Sequence, residues 1–295
     1  MTKLAPKDPM VSLASQTIEK IPDLDLFDSH DLKPDDLKDL ALRTEEASLK
    51  IKGINNSNGA SSSQSKTSFH LSTSNGFSGG YKKSNYSISC SSIAGDDLNM
   101  QTDYDYDSKV FFKDLKDELS IGEKAAKNTL AKCNPKKIKT CTSDIVFDPR
   151  VSRTILAHFS SLINGASIAR GSSFLSEKMN TKIFNKDVNI IDDPSILRGI
   201  ASKPFDDEGC GIQKLNIVQN GNLNSWILDT TTAKQLNLNS NNRASRGMSS
   251  PPSPSSTNMF IENGSFSVNE IIKNIKDGFY VCLLYTSPSP RDVEE

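Results

Sequence analysis

A Ser- and Asn-rich stretch between Asn55 and Ser92 constrains the fold most, because its apolar residues recur at every second position. Composition alone would favour a flexible linker. A half-buried β-strand, however, places successive side chains on opposite faces of a sheet, which the alternation matches. The pattern therefore predicts two antiparallel strands, each with one face toward solvent, joined by a turn at the FSGGY sequence that begins at Phe77. The alternating positions are Phe69, Leu71 and Thr73, then Tyr86, Ile88 and Cys90.

Two helices are predicted on either side of this hairpin. The first runs from Pro34 to about Leu49, since a proline followed by two aspartates suits a helix N-terminus and apolar residues follow at helical spacing. The second begins at Ser120, which can form a capping box with Glu123, and it ends at Asn134 and the proline after it.

A second part of the chain begins near Thr140. Ile145–Phe147 is predicted as a short buried strand. Asp148 can accept hydrogen bonds from the free N–H groups of the next helix, and Pro149 lies where proline is best tolerated. That helix is predicted over about Arg150–Ala169, with one apolar stripe. The stripe comprises Val151, Ile155, Phe159, Leu162, Ile163 and Ala166.

Sequence patterns typical of β-strands are frequent in the rest of the chain, after the helix predicted over 150–169. Asn220-Gly221 between two apolar runs predicts a tight β-hairpin. A short helix at TTTAKQL and a long polar loop, 237–257, follow. A strand at 259–262 and a helix at 268–275 complete the pattern.

Charge and cysteine content exclude several classes of protein. The 35 basic and 36 acidic residues give a formal charge of −1, which argues against direct nucleic-acid binding. No apolar run approaches the length of about 18 residues that a membrane span needs. The five cysteines include no C-x-x-C pair, which argues against a zinc ribbon or a disulfide framework and favours reduced thiols in the cytoplasm.

The residues by themselves indicate no catalytic constellation. The three histidines, His30, His70 and His158, form no H-x-x-x-H or H-E-x-x-H pair, so no helical face offers two imidazoles to a metal. The acidic runs 192–193 and 206–208 are predicted to be solvated turns, because adjacent carboxylates point in different directions. No G-x-S-x-G elbow or phosphate-binding glycine loop occurs.

Several separate stretches of the sequence, taken in order along the chain, resemble the PmbA (TldE) branch of the TldD/PmbA family. The stretches are DPRVSRTILAHFSSLINGASIARGSSFL, DDPSILRGIASKPFDDEG, WILDTTTAKQL and RASRGMSSPPSPSSTN, preceded by NNSNGASSS, NGFSGGY, SIAGDD and DYDY. The resemblance covers most of 6–281. It implies an α+β fold in which a middle domain of helices on an antiparallel sheet precedes a β-rich C-terminal domain that begins with a helix and is incomplete.

The resemblance also implies where the parts of the chain lie. Residues 1–140 correspond to the middle domain and residues 141–282 to a truncated C-terminal metalloprotease-type domain. Residues 283–295, LLYTSPSPRDVEE, resemble a translated sequencing adapter and are predicted to be non-native.

The motif that holds the metal in the TldD branch, HExxxH, is not preserved here. Ala157 and Leu162 stand at the two histidine positions, and His158 stands at the position of the glutamate. No catalytic or metal-binding role is therefore carried over to this chain, and zinc is expected on a TldD-type partner.

Two functions remain open at this point. The first is a PmbA/TldE-type subunit of a cytoplasmic TldD/TldE metallopeptidase that degrades or processes small or unfolded peptides, as in microcin maturation and antitoxin turnover. The second is a regulatory binding protein that acts on DNA gyrase or toxin–antitoxin systems without peptidase activity. A self-sufficient peptidase would need metal ligands that the sequence does not offer.

The loop with the sequence RASRGMSSPPSPSSTN is the candidate substrate or partner site. It is longer than the usual connection of about 4–6 residues, and its prolines restrict the backbone to extended conformations. Two guanidinium groups could hold a peptide carboxylate or backbone carbonyls. A solvated Ser/Pro loop is the alternative. The candidate residues are Arg243, Arg246, Pro251, Pro252, Thr257 and Asn258.

Overall fold

The computed structural model of the chain describes residues 8–96, 99–136 and 139–283. The predicted non-native tail, 283–295, lies outside these residues except for its first position. The described residues form two compact units. We call the described parts of 17–136 and 194–205 the hairpin unit, and those of 8–16, 139–193 and 206–283 the C-terminal unit.

An antiparallel three-stranded sheet forms the centre of the hairpin unit. Its strands are β1 (Ile54–Ser72), β2 (Ser78–Ala94) and β3 (Gln101–Lys109), and β2 pairs with both neighbours. Side chains along β2 are buried at every second position, which confirms the two antiparallel strands predicted from the alternation. The buried side chains include Tyr86, Ile88 and Cys90.

The turn between β1 and β2 lies at Thr73–Phe77, so its predicted position at FSGGY is wrong. Gly76 has a φ of +100°, which glycine adopts freely, and the Thr73 N–H donates to the Phe77 carbonyl at 2.9 Å. Gly79 instead lies inside β2. A Cβ there would come within 2.5 Å of the Ile21 side chain and 2.8 Å of the Phe77 ring, so this glycine makes room for packed side chains instead of turning the chain.

Two helices pack on the buried face of this sheet. α1 (Pro34–Leu49) has the predicted bounds. α2 spans Glu118–Leu130 and is capped by Asp117, so the predicted cap at Ser120 is wrong. The Asp117 carboxylate accepts the Ser120 N–H at 3.0 Å, which places Ser120 inside the first turn. The core between helices and sheet contains Leu40, Ile88, Cys90, Ile121 and Ala125.

The C-terminal unit combines short strands with helices, and together the two units confirm the predicted α+β class. Within the described ranges, none of the helices is both long and apolar enough to cross a membrane. The helices are α3 (Pro149–Leu162), α4 (Gly165–Ala169), α5 (Thr230–Gln235) and α6 (Val268–Asn274). The strands are β4 (Asp144–Phe147), β5 (Ile190–Asp192), β6 (Leu215–Gln219), β7 (Asn222–Leu223), β8 (Ala244–Ser245), β9 (Ser253–Pro254), β10 (Met259–Ile261) and β11 (Gly278–Val281).

These strands form three sheets. An antiparallel sheet has the order β10-β5-β6-β7, β8 pairs with β9, and β4 pairs in parallel with β11. β4 forms as predicted, but its predicted burial is wrong, because Ile145 is 54% exposed and Phe147 is 39% exposed. Among the strands that the structure describes, β4 has one neighbour, β11, and most of the side chains of β4 face solvent.

The helix predicted over 150–169 is broken after Leu162. Asn164 has an extended backbone and caps α4, with its side chain accepting the Ala166 N–H at 3.0 Å. On either side of it, the Gly165 N–H donates to the Ile227 carbonyl at 2.8 Å, and the Ile227 N–H donates to the Ile163 carbonyl at 2.9 Å. A parallel β-bridge between Asn164 and Ile227 therefore interrupts the predicted helix.

The turn at Asn220-Gly221 joins β6 to β7 and confirms the predicted hairpin. The φ angles of 50° and 79° are both positive, as a type I′ turn requires. The long loop predicted over 237–257 is not wholly irregular, since β8 and β9 pair within it.

Candidate functional site

The two ends of the Arg243–Asn258 loop are held by one buried carboxylate, that of Asp192 at the end of β5. Asp192 Oδ2 accepts the Arg243 Nε–H at 2.6 Å. The same carboxylate accepts the Thr257 N–H at 2.6 Å through Oδ1 and the Thr257 hydroxyl at 2.9 Å through Oδ2. Asn258 adds a hydrogen bond from its side-chain amide to the Asp193 carbonyl at 2.7 Å. The loop therefore begins and ends at the same strand.

Arg243 lies inside the fold and does not present its guanidinium to a ligand. The side chain is 1% exposed. Beyond Asp192, its Nη1 donates to the Asn241 carbonyl at 2.9 Å and its Nη2 donates to the Gln213 carbonyl. The idea that Arg243 itself holds a peptide carboxylate does not fit this position, because its donors are occupied by the protein.

The acidic run at 206–208 supports the same loop from the other side. Asp206 accepts the Ala244 N–H at 3.2 Å, and Asp207 accepts the Arg246 N–H at 2.8 Å. Asp206 is 0% exposed and Asp207 is 9% exposed. The prediction that these carboxylates lie in solvated turns is wrong, as it is for Asp192, since the loop backbone needs buried acceptors at these points.

The tip of the loop, between β8 and β9, is open to solvent. Arg246 and Pro251 are exposed and Pro252 is half-buried. Met248, which the sequence interpretation did not single out, is fully exposed. Met248 follows Arg246 by two residues, and an exposed methionine can contact apolar side chains of varied shape.

The returning arm of the loop lies against the end of α3. The Ser160 hydroxyl donates to the Ser256 hydroxyl at 3.1 Å, and the Asn164 amide donates to the Pro254 carbonyl at 2.7 Å. α3 is the helix on which the TldD-branch metal motif would lie. Its positions Ala157 and His158 are exposed, and Leu162 packs against the core of the unit. The structure thus brings together the two segments that the sequence interpretation singled out.

The part of the chain that the structure describes contains no group of three His, Cys, Asp or Glu side chains placed to hold a metal ion. Ala157 and Leu162 offer no ligand atom, so the residues on α3 do not fit a zinc ion.

Two sequence models of one family match most of the chain. The model described as the PmbA/TldA metallopeptidase central domain matches residues 27–132, and the one described as its C-terminal domain matches residues 140–288. The chain belongs to the PmbA/TldD metallopeptidase family.

The chain is similar to curated proteins that are named metalloprotease PmbA. It is 34% identical to the metalloprotease PmbA homolog of Haemophilus influenzae over 82% of this chain and 52% of the relative. It is 31% identical to the metalloprotease PmbA of Escherichia coli O157:H7 over 80% of this chain and 53% of that protein. The chain thus spans about half the length of these curated relatives.

Solved structures of the family share the fold. A crystal structure described as a modulator of DNA gyrase, from Bacteroides thetaiotaomicron, matches with a TM-score of 0.85 and 28% identity, over 95% of this chain and 62% of that one. TldE from Thermococcus kodakarensis matches with a TM-score of 0.79 and 21% identity, over 97% and 65%. The second likeness supports the fold alone.

A buried thiol, that of Cys210, lies beside the acidic run that supports the loop, and the Cys210 backbone N–H donates to Asp206 at 2.8 Å. Burial, together with the nearby carboxylates of Asp206 and Glu208, raises the pKa of Cys210 to about 12. Its Sγ–H donates to the Gln16 carbonyl at 3.1 Å. Burial also raises the pKa of Glu208, although hydrogen bonds from Thr230 act in the opposite direction. A thiol with a pKa of about 12 is protonated near neutral pH.

Proposed function

We propose that this chain is a PmbA/TldE-type subunit of a TldD/TldE metallopeptidase, and that it is the subunit that does not bind the metal. The observation that carries the proposal is the sequence of α3. Ala157 and Leu162 stand where the TldD branch, by the resemblance above, has metal-binding histidines. Neither side chain has an atom that can coordinate zinc.

The role that remains for this chain is to bind and orient the peptide. The Arg243–Asn258 loop supports that role, since both of its ends are tied to Asp192 while its tip is exposed. A loop held in one conformation loses less entropy when it binds a ligand. The Arg246 guanidinium can donate to a peptide carboxylate or to backbone carbonyls, and Met248 can contact apolar side chains of varied shape.

The metal chemistry belongs to the TldD-type partner in this proposal. Zinc bound there would polarise the scissile carbonyl and lower the pKa of a bound water. The substrates would be small or unfolded peptides in the cytoplasm, such as microcin precursors and an antitoxin. This chain would contact the partner and the peptide, and neither nucleic acid nor membrane.

The proposal is tested by reconstitution with a TldD-type protein from the same organism. We expect the two chains to co-purify, zinc to be found in the complex at one ion per TldD-type chain, and an unfolded peptide to be cleaved only when both chains are present. One tightly held zinc ion per copy of this chain alone would contradict the non-metal role. Cleavage by the TldD-type chain at the same rate without this chain would contradict the subunit role.

A second candidate function is regulation of DNA gyrase, which is favoured by the description of the Bacteroides thetaiotaomicron structure as a modulator of DNA gyrase. The formal charge of −1 argues that any such effect would pass through protein contacts and not through DNA. Co-purification with gyrase in place of a TldD-type protein, together with a change in supercoiling rate, would favour this function over the first.

A further inference from the structure

Arg246, at the start of the exposed loop tip, has a fixed backbone and a free side chain. Its backbone N–H donates to Asp207 Oδ2 at 2.8 Å, and the next N–H along the chain, that of Gly247, donates to the Ser250 hydroxyl at 2.9 Å. The side chain is exposed, and among residues 8–96, 99–136 and 139–283 its guanidinium has no hydrogen-bond or ion-pair partner. The guanidinium therefore remains as a donor for a ligand at this point of the loop.

Asp207 fixes the backbone of this part of the loop from inside the fold. The residue is 9% exposed. Its carboxylate accepts the Arg246 N–H, and its own N–H donates to the Ala244 carbonyl at 3.2 Å. Asp206 also accepts the Ala244 N–H at 3.2 Å, so two adjacent residues of the acidic run hold the start of the loop. A side chain that extends from a backbone held in this way can meet a ligand with little loss of conformational entropy from the chain.

The charge on the loop favours an anionic ligand. Residues 237–261 contain no aspartate or glutamate, and their two basic residues are Arg243 and Arg246. Arg243 is buried in its ion pair with Asp192, so Arg246 carries the charge of the exposed tip. A guanidinium binds a carboxylate through two parallel N–H···O hydrogen bonds, which are stronger than a bond to a neutral carbonyl. In a peptide, the carboxylates are those of aspartate and glutamate side chains and of the C-terminus.

We propose that Arg246 selects peptides that carry a carboxylate, and that Asp207 positions Arg246 for this contact. The inference rests on the proposed function and deepens it, since it names a class of peptide and the residue that recognises it. Arg246 contacts the peptide and determines specificity. Asp207 does not contact the peptide and acts through Arg246, as a positioning residue.

Cleavage by the complex of this chain with a TldD-type protein tests the class of peptide. The parent probe is an unfolded peptide with several glutamines and with acetylated and amidated ends, so that it carries no carboxylate. It is compared with peptides in which one glutamine at a time is replaced by glutamate, and with the parent peptide bearing a free C-terminal carboxylate. We expect at least one added carboxylate to raise kcat/KM about tenfold, the value of one charge-assisted hydrogen bond. High salt should reduce this preference, because the contact is exposed.

Variants of the chain connect the preference to Arg246. Arg246→Ala should remove it, so that the peptides with glutamate and with glutamine are cleaved at similar rates. Arg170→Ala, which removes an exposed arginine elsewhere in the C-terminal unit, should leave it unchanged. Equal cleavage of all the peptides by the unchanged complex, or a preference that survives in Arg246→Ala, would overturn the inference but not the proposed function. Cleavage that does not depend on this chain would instead contradict the proposed function, and the inference with it.

Variants of Asp207 test the positioning role. Asp207→Ala removes the acceptor of the Arg246 N–H and should reduce the carboxylate preference about threefold or more, through KM more than through kcat. Asp207→Asn keeps an oxygen that can accept this N–H and should retain the preference. Asp187→Ala, at an exposed aspartate of the same unit, is the control for loss of charge. Asp207→Ala combined with Arg246→Ala should have the same kcat/KM as Arg246→Ala alone, and multiplied effects would overturn the positioning role.

Limited proteolysis of the 295-residue chain measures how firmly the loop is held without any peptide substrate. Trypsin cleaves after arginine and acts on a segment in proportion to the population in which that segment is open. Asp207→Ala should therefore speed cleavage between Arg246 and Gly247 about fivefold or more, as mapped by mass spectrometry, whereas Asp207→Asn should change it little. Cleavage after Arg170 is the internal control for general unfolding of the unit. No acceleration at Arg246, or equal acceleration at Arg170, would overturn the role of Asp207.

Discussion

The Arg243 Nε atom lies 2.6 Å from Asp192 Oδ2, and both side chains are 1% exposed. A charged pair this deeply buried is costly to break from one side, because the remaining charge keeps its desolvation penalty and loses its partner. The pair also connects β5 to the start of the candidate loop, so the stability of the unit and the conformation of the loop depend on the same contact.

We therefore expect Arg243→Met to lower the free energy of unfolding by about 3 kcal/mol. The methionine retains much of the side-chain volume but leaves the Asp192 carboxylate without its counter-ion. Urea denaturation followed by circular dichroism measures the effect. Arg246→Met changes the same residue type at an exposed position three residues later and is expected to cost less than about 0.5 kcal/mol. Equal losses in the two variants would contradict the structural role of the buried pair.

The turn at Gly221 gives a second prediction. Gly221 has a φ of +79°, and a Cβ there would lie 2.4 Å from the Phe184 carbonyl oxygen. Gly221→Val should lower the free energy of unfolding by about 1–3 kcal/mol, since a β-branched residue resists positive φ and the backbone must also move. At Gly264 a Cβ would meet nothing within 4 Å, so Gly264→Val is the matched control. A midpoint of denaturation that is unchanged in Gly221→Val would be inconsistent with this turn.

The N-cap of α3 makes part of the stability dependent on pH. Burial, which acts to raise the pKa of Asp148, is outweighed by hydrogen bonds from the Arg150 N–H, the Tyr280 hydroxyl and the Arg150 guanidinium, so the pKa is lowered. A carboxyl whose pKa is lower in the folded state stabilises the fold above its unfolded pKa, and this stabilisation is lost as the pH falls through the folded pKa.

Asp148→Ala is therefore expected to cost about 1 kcal/mol near pH 7. The difference from the unchanged chain should shrink as the pH falls below about 4, where the aspartate of the unfolded chain is protonated. Thermal unfolding of both proteins at a series of pH values measures it. A difference that stays constant down to the acid limit would mean that the carboxylate charge does not contribute.

Thiol reactivity gives a fourth prediction. The raised pKa of Cys210, about 12, keeps this buried thiol protonated, whereas Cys141 is exposed. Alkylation of the native chain at pH 8 should modify Cys141 first and leave Cys210 unmodified until the chain unfolds. Mass spectrometry of peptides taken at successive times measures the order. Labelling of Cys210 as fast as that of Cys141 would contradict its burial.

Local signals predicted the elements whose cause is local. α1 has the predicted bounds because its proline and aspartates act within one turn, and the hairpin at Asn220-Gly221 follows from positive φ at two adjacent residues. The break at Asn164 could not be predicted from local signals, since the apolar spacing of a helix continues through it. The break is caused by backbone hydrogen bonds to Ile227, which is distant in sequence.

The candidate site shows the same division. The loop was noticed from its length and its prolines, which are local properties. The acceptors that hold it, Asp192, Asp206 and Asp207, were predicted to be solvated because adjacent carboxylates point in different directions, yet all three are buried. Only the folded chain places the backbone N–H groups of Ala244, Arg246 and Thr257 against them. The burial of a charge depends on its partner, and here the partners are distant in sequence.

The exposed part of the loop yields the last prediction, for peptide cleavage by the complex with a TldD-type partner. The Arg246 backbone is held by Asp207, so its side chain can be changed without releasing the loop. If that guanidinium holds a peptide carboxylate or carbonyl, Arg246→Ala removes one charge-assisted hydrogen bond. A loss of about 1.4 kcal/mol lowers kcat/KM about tenfold. The thermal midpoint of the chain should not change. Arg170→Ala, at another exposed arginine of the C-terminal unit, is the control for loss of charge.

A paired Pro251→Ala and Pro252→Ala change should raise KM more than it lowers kcat, because a more flexible tip loses more entropy on binding. Unchanged kinetics in both loop variants would mean that the tip is only a connection between β8 and β9.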